Sequence, residues 1–117
     1  MHQRDRNQWG TVGGAVEPGE SPADAAVREA SEETGLQVDV TGPVAALGGA
    51  AFEMTYPNGD ECAYLSIVFD AQVVGGVLTP DGDEVSECRW FTRDELVAAD
   101  ISTVSRSVLL ATGWLHQ

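Results

Sequence analysis

Three glutamates carry the chemistry that this sequence announces first. Glu29, Glu32 and Glu33 fall at i, i+3 and i+4 of a helix-patterned segment, Pro22 to Thr34. On a 3.6-residue period they occupy an arc of roughly 100° on about one turn. The like-charged Glu29/Glu33 spacing costs about 0.2–0.5 kcal/mol in an isolated helix. Arg28 relieves part of this by reaching Glu32 at i+4, and a bound cation would relieve more. Carboxylates without His or Cys suit a hard cation, Mg²⁺ or Mn²⁺, and argue against Zn²⁺. Such ions neutralise a diphosphate, acidify a bound water and hold a leaving group. The competing reading is a solvated acidic helix face.

The elements that position these side chains are legible in outline. Ser21 is a cap and Pro22 suits the first helical turn. Asp24 completes a capping-box-like pattern, and Gly35 stands where a left-handed stop is expected. Ala23, Ala26, Val27, Ala30 and Thr34 form the face expected to pack on a sheet. Trp9 to Val16 reads as a short strand broken at Gly13-Gly14, and Glu17 to Glu20 as loop. Gln37 to Phe52 reads as one or two strands bent at Gly48-Gly49, and Tyr56 to Asp60 as a turn. Cys62 to Val74 is a near-continuous apolar run, expected as a strand covered on both faces. An acidic loop, Thr79 to Glu84, precedes a short strand, Glu87 to Phe91. Thr92 caps a helix to about Ala99, and Thr103 to Thr112 reads as the last helix. Strands interleaved with few helices give an α/β class, a mixed sheet between helices.

A length of 117 residues makes one domain, residues 1–117. Its 43% hydrophobic content fits a packed core. No apolar run approaches membrane-spanning length. There are 19 Asp+Glu against 6 Lys+Arg, every one of the six an Arg, for a net charge of −13. Such a field repels duplex nucleic acid and anionic lipid. A phosphate ligand therefore needs a cation between itself and the protein. Cys62 and Cys88 lack metal-site spacing and read as small buried residues in a reducing compartment. With the polar start Met1 to Gln8 they give a cytoplasmic expectation.

Gly14 is followed after five residues by Glu20, and seven residues later by Arg28-Glu29-Ala30-Ser31-Glu32-Glu33-Thr34-Gly35-Leu36. This resembles the box of the Nudix hydrolases, G-x5-E-x7-R-E-U-x-E-E-x-G-U with U aliphatic. The fixed positions match at Gly14, Glu20, Arg28, Glu29, Glu32, Glu33 and Gly35. At ordinary residue frequencies, a chance match at one start point is on the order of 10⁻⁹. Trp9 ahead of the box and Gly82 to Phe91 leading to Asp94-Glu95-Leu96 look like further family segments. Departures are Thr11-Val12-Gly13-Gly14, where the family often has Leu-Pro-Gly-Gly, and the small Ala30 at an aliphatic position. Only polar residues precede Trp9, so the resemblance implies a Nudix fold lacking part of the N-terminal strand region. That would leave an open sheet edge, which leaves room for a homodimer.

The resemblance implies an Mg²⁺-dependent (or Mn²⁺-dependent) hydrolase. Its substrate would be a nucleoside diphosphate linked to another group, such as ADP-ribose or a nucleoside triphosphate. It implies a small-molecule nucleotide as partner, with no nucleic-acid duplex and no membrane. Glu29, Glu32, Glu33 and the Gly13 carbonyl are the implied metal ligands. Arg28 is the implied orienter of a box carboxylate, and Gly14, Glu20 and Gly35 are structural. Glu29 or Glu33 is the expected base. Glu84 or Glu87 stands second, either as base or as a further metal ligand, Glu84 being the one placed in the ligand set. Asp81-Gly82-Asp83 lacks the spacing of a calcium loop. Phe52, Tyr56, Tyr64 and Trp90 are candidates for stacking a base, each weighed against a core role. His2 and His116 receive no role. Arg4, Arg6, Arg89, Arg93 and Arg106 are left to meet a substrate anion directly. The alternative to the enzyme is a non-catalytic Nudix-fold module that binds nucleotide or serves as a scaffold.

Overall fold

The computed structural model describes residues 1–3 and 7–116. Arg4 and Arg6, expected to be available to a substrate anion, lie outside the described residues. In chain order the elements are β1 (His2–Gln3), β2 (Gln8–Trp9), α1 (Pro22–Thr34) and β3 (Leu36–Leu47), then a 3₁₀ turn (Ala50–Phe52). There follow β4 (Glu53–Thr55), β5 (Glu61–Ala63), β6 (Ser66–Gly76), β7 (Val85–Glu87), α2 (Arg93–Ala98) and α3 (Thr103–Ala111).

The strands make three small sheets, ordered β2-β1-β7, β3-β6 and β4-β5. All their ladders are antiparallel, and a parallel bridge from Trp9 to Ile101 adds the mixed character. The long ribbon β3-β6 pairs from Leu36 opposite Gly76 to Leu47 opposite Ser66, with register shifts at Gln37/Val38 and on both sides of Pro43. Proline lacks the N–H that a regular ladder needs, which accounts for the two shifts flanking Pro43. Buried apolar side chains from α1 (Ala25, Ala30), β3 (Leu36), the 3₁₀ turn (Phe52), β7 (Val85) and the C-terminal region (Ile101, Leu115) form the core.

Helix α1 begins and ends where the sequence says. Ser21 Oγ accepts from the Asp24 N–H at 3.1 Å, and Gly35 sits in the left-handed region at φ 73°. A side chain at Gly35 would also strike the Val77 carbonyl, with a Cβ 2.6 Å from that oxygen. The Thr79 N–H donates to Thr34 O at 2.7 Å. The end of α1 is therefore pinned to the chain leaving β6. The helices over 93–98 and 103–111 also match expectation, the first with a complete Thr92/Glu95 capping box.

Several expectations are corrected. The buried arc of α1 is Ala25, Ala30, Glu33 and Thr34, while Val27 is exposed. It is rotated roughly 45° on the 3.6-residue wheel from the apolar face drawn on sequence, which carries Glu33 inward. Trp9 to Val16 is a strand only at its start, because the chain beyond Gly10 is held by side chains rather than by a ladder. The polar N-terminal stretch holds β1, the central strand of its sheet. Cys62 to Val74 is divided between β5 and β6, which lie in different sheets. Nor is it covered on both faces, since Val73 and Val74 are 44% and 56% exposed. The short strand near 87–91 ends at Glu87, and Phe91 instead packs edge-on against Trp9. Cys62 and Cys88 are half-buried free thiols. Among the described residues no helix is long and apolar enough to cross a membrane.

Candidate functional site

The site forms where the segment after Trp9 crosses the acidic face of α1. From Thr11 to Val16, among the described residues, the chain makes its hydrogen bonds to side chains. The Thr11 N–H donates to Ser105 Oγ at 2.9 Å. The Gly13 N–H donates to Glu33 Oε2 at 3.3 Å. Ala15 O accepts from Arg28 Nη2 at 3.0 Å. A Cβ at position 14 would overlap the Glu29 carboxylate, so a larger residue there displaces that carboxylate from its place beside Arg28.

Arg28 organises the acidic side. Its guanidinium grips Glu20 in a fork, Nε to Oε2 at 2.7 Å and Nη2 to Oε1 at 3.0 Å. Nη1 bridges Glu29 Oε1 at 3.0 Å and Glu32 Oε2 at 3.1 Å. Planar, two-pronged recognition of this kind is what arginine supplies and lysine does not. The hydrogen bonds to Glu20 and Glu29 raise the Arg28 pKa further above its ordinary value. In return the Arg28 bond, with a backbone bond at Glu17, lowers that of Glu20. Glu20 also accepts from the Glu17 N–H at 3.0 Å, so one carboxylate closes the 17–20 turn and anchors Arg28.

Glu33 is the unusual group. It is 8% exposed, and its pKa is pushed up to about 8. Burial is the largest cause, and the Glu29 charge comes next. A hydrogen bond shared with Glu29 and the charge of Asp81 add to the rise, while the Gly13 N–H opposes it. Glu33 thus faces the Glu29 carboxyl, whose neighbouring charge favours the protonated form of Glu33. Glu32 lies apart, with its side chain 59% exposed and tied to Arg28. Among the described residues no three His, Cys, Asp or Glu side chains form a cluster that could hold an ion by themselves.

The donor chemistry fits a hard cation. The facing carboxyls offer only oxygen, set like charges against each other, and lie beside the Gly13 backbone. Arg28 Nη1 already bridges Glu29 and Glu32 as a positive charge.

The later acidic segment contributes differently from expectation. Glu84 and Glu87 are exposed. The loop carboxylate whose charge reaches Glu33 is Asp81. Asp81 Oδ1 accepts from the Asp83 and Val85 N–H groups at 2.8 and 2.9 Å, which shapes the turn into β7. The Asp-Gly-Asp turn pattern was the available signal for that role. Cys88 Sγ lies 3.5 Å from Glu33 O, as a weak donor beneath the helix. Ser105 was missed altogether; it stands far along the chain in a helix without charged neighbours on that turn, apart from Arg106.

Of the four aromatic candidates, Phe52 is core, while Tyr56, Tyr64 and Trp90 are exposed. Tyr56 and Tyr64 hydrogen-bond through their hydroxyls, and that bond raises the Tyr64 pKa to about 12. Arg89 lies over the Phe91 and Trp9 rings at 4.4 and 5.3 Å from their centroids. Arg93 donates to Gly113 O at 3.0 Å and covers Trp114. Both arginines therefore have structural partners. His2 packs edge-on to Trp9, and its Nδ1 lies 2.9 Å from Ser86 Oγ.

The profile of the NUDIX domain matches residues 1–111. The chain is 32% identical over 90 residues to the NAD-capped RNA hydrolase NudC of Stutzerimonas stutzeri, covering 77% of this chain and 29% of that protein. It is 36% identical over 94 residues to the oxidized purine nucleoside triphosphate hydrolase of Mus musculus, covering 80% of this chain and 55% of that one. The chain thus spans a third to about half of the length of these relatives. A crystal structure of a UDP-X diphosphatase superposes with a TM-score of 0.73 at 23% identity, covering 92% of this chain and 50% of the other. At that identity the likeness is one of fold.

Proposed function

The chain belongs to the Nudix family, and from that premise we propose that it hydrolyses the pyrophosphate bond of a nucleoside diphosphate linked to another group. Relatives in the family act on several such compounds by name, including an NAD-capped RNA and an oxidized purine nucleoside triphosphate. The observation that carries the reading is the facing Glu29/Glu33 pair, set against Gly13 and braced by Arg28. A structure selected for stability alone gains nothing by burying one of two like-charged carboxyls.

Mg²⁺ or Mn²⁺ would be held by Glu29, Glu33 and the Gly13 carbonyl, with Glu32 at the rim, and would supply charge neutralisation at the pyrophosphate. A cation there would offset the neighbouring negative charge that helps raise the Glu33 pKa, and so would favour the ionised form of Glu33. Arg28 holds Glu29 from behind and fixes which oxygen faces the substrate. A water oxygen attacks one phosphorus, and Glu33 or Glu29 accepts the water proton. The phosphorus–oxygen bond to the leaving phosphate breaks, releasing a nucleoside monophosphate and the phosphorylated partner group. Asp81 adds negative charge near Glu33 and helps keep that carboxyl a good proton acceptor.

The test is a panel of ADP-ribose, dinucleoside polyphosphates and plain and oxidised nucleoside triphosphates, incubated with Mg²⁺ or Mn²⁺. Release of monophosphate that disappears in Glu33→Gln, with the fold retained by circular dichroism, supports the enzyme. Binding of nucleotide with no release under either metal would establish the alternative, a non-catalytic binding module.

A further inference from the structure

Three side chains hold the segment that brings Gly13 to Glu33, and two of them, Arg28 and Glu33, belong to α1. The third, Ser105, comes from α3, ninety-four residues from its partner Thr11. At Trp9 and Gly10 the chain is held by backbone. The Trp9 N–H donates to Asp100 O at 2.9 Å, Ser102 N–H donates to Trp9 O at 3.0 Å, and Gly10 exchanges bonds with Met1. Beyond Gly10 this backbone support stops, and Ser105 Oγ is the next anchor on the way to Gly13. Ser105 is 4% exposed. Its Oγ accepts from the Thr11 N–H and lies 3.2 Å from Thr11 Oγ1.

Alternative roles for Ser105 fit less well. The N-cap of α3 is Ser102, whose Oγ accepts from the Ser105 N–H at 3.4 Å. The Ser105 hydroxyl is therefore not needed to start the helix. Its direction, toward Thr11, serves the loop. The Gln3 amide and Ser105 Oγ both lie close to Gly10; a Cβ there would be 3.2 and 3.3 Å from them.

We infer that Ser105 is a positioning residue for the metal-binding site, acting through Thr11 to hold Gly13 against Glu33. This rests on the hydrolase reading for its link to the metal, but the mechanical part is separable. Removing a side chain that holds a metal site's supporting backbone costs about tenfold or more in metal affinity.

The experiment compares Ser105→Ala with Ser102→Ala in the full chain. Three quantities are read well below the melting temperature. These are the Mn²⁺ dissociation constant by electron paramagnetic resonance, the Gly13 amide exchange rate by NMR, and kcat and KM separately. Ser105→Ala should weaken Mn²⁺ binding about tenfold, speed Gly13 exchange and lower kcat. Ser102→Ala should lower the melting temperature but leave Mn²⁺ affinity and Gly13 exchange at wild-type values. If Ser105→Ala does not fold, Ser105→Cys keeps the volume, replaces the oxygen by a weak acceptor, and is read the same way. Wild-type Gly13 exchange and Mn²⁺ affinity in the Ser105 variant would overturn the inference. If the wild-type protein itself binds no Mn²⁺, the hydrolase reading falls, and Gly13 exchange alone decides the positioning role.

Discussion

Replacing Glu33 by Gln should make the metal-free protein more stable while abolishing activity. The substitution keeps the shape, keeps an oxygen to accept from the Gly13 N–H, and supplies an N–H₂ to face Glu29. It removes the ionisation that burial and Glu29 oppose. The magnitude follows from linkage. The carboxyl has an ordinary value of 4.5 and a folded value of about 8. Its contribution is therefore most favourable below pH 4.5 and is lost as pH rises toward 8, because the folded state binds the proton more tightly. At pH 7 the loss approaches about 3 kcal/mol, at about 1.4 kcal/mol per tenfold step. Screening by solvent on the open side of the pair reduces this to about 1–2 kcal/mol. For a chain of this size the Gln variant should then melt about 5 °C above wild type in EDTA at pH 7. The gap should close at pH 5. Millimolar Mg²⁺ should reverse the order, raising the wild-type melt by binding its folded state and leaving the variant nearly unmoved. Differential scanning calorimetry across pH with EDTA or Mg²⁺ makes the measurement. A Gln variant that melts at or below wild type in EDTA at pH 7 would refute the reasoning, since the carboxyl would then carry no electrostatic strain.

Gly14→Ala puts a methyl group into the space of the Glu29 carboxylate and should lower kcat about a hundredfold, as misplaced reacting groups do; wild-type turnover would show that Glu29 has room to move. Arg28→Lys keeps the charge but loses the fork to Glu20 and the bridge to Glu29 and Glu32, so Mg²⁺ affinity and kcat should each fall about tenfold or more. Isothermal titration and steady-state kinetics read both, and full activity in the lysine variant would remove Arg28 from the site. Gly35→Ala combines a positive φ with a close approach to Val77 O and should cost about 1–3 kcal/mol, read as a lower urea midpoint with an unchanged slope. An unchanged midpoint would mean the end of α1 is not pinned to the exit of β6.

The helix and its box were legible because everything that defines them is local. Ser21, Pro22 and Gly35 act on backbone groups within a few residues, and the spacing of Arg28, Glu29, Glu32 and Glu33 is set by the helical period alone. Helix α2 was readable for the same reason, since Thr92 and Glu95 satisfy each other's backbone. The Arg28 to Glu32 contact followed from the i, i+4 rule and is present. The strands were harder. Cys62 to Val74 reads as one apolar run, but its two halves pair with different partners, β4 and β3, and no period within a strand reveals which partner it will find.

The sequence by itself determined which carboxylates share a helical turn, where that helix starts and stops, and to which family the pattern is similar. The tertiary fold decided which of those carboxylates is buried. Packing of α1 on β3 turned Glu33 inward and left Glu32 with Arg28 in the open. It also chose Asp81 over Glu84 as the loop charge felt at Glu33, and it brought Ser105 to Thr11 across most of the chain. The physical reason is range. Backbone capping and helical periodicity act over a few residues, whereas burial, charge coupling and long loop closures depend on how separate elements pack together.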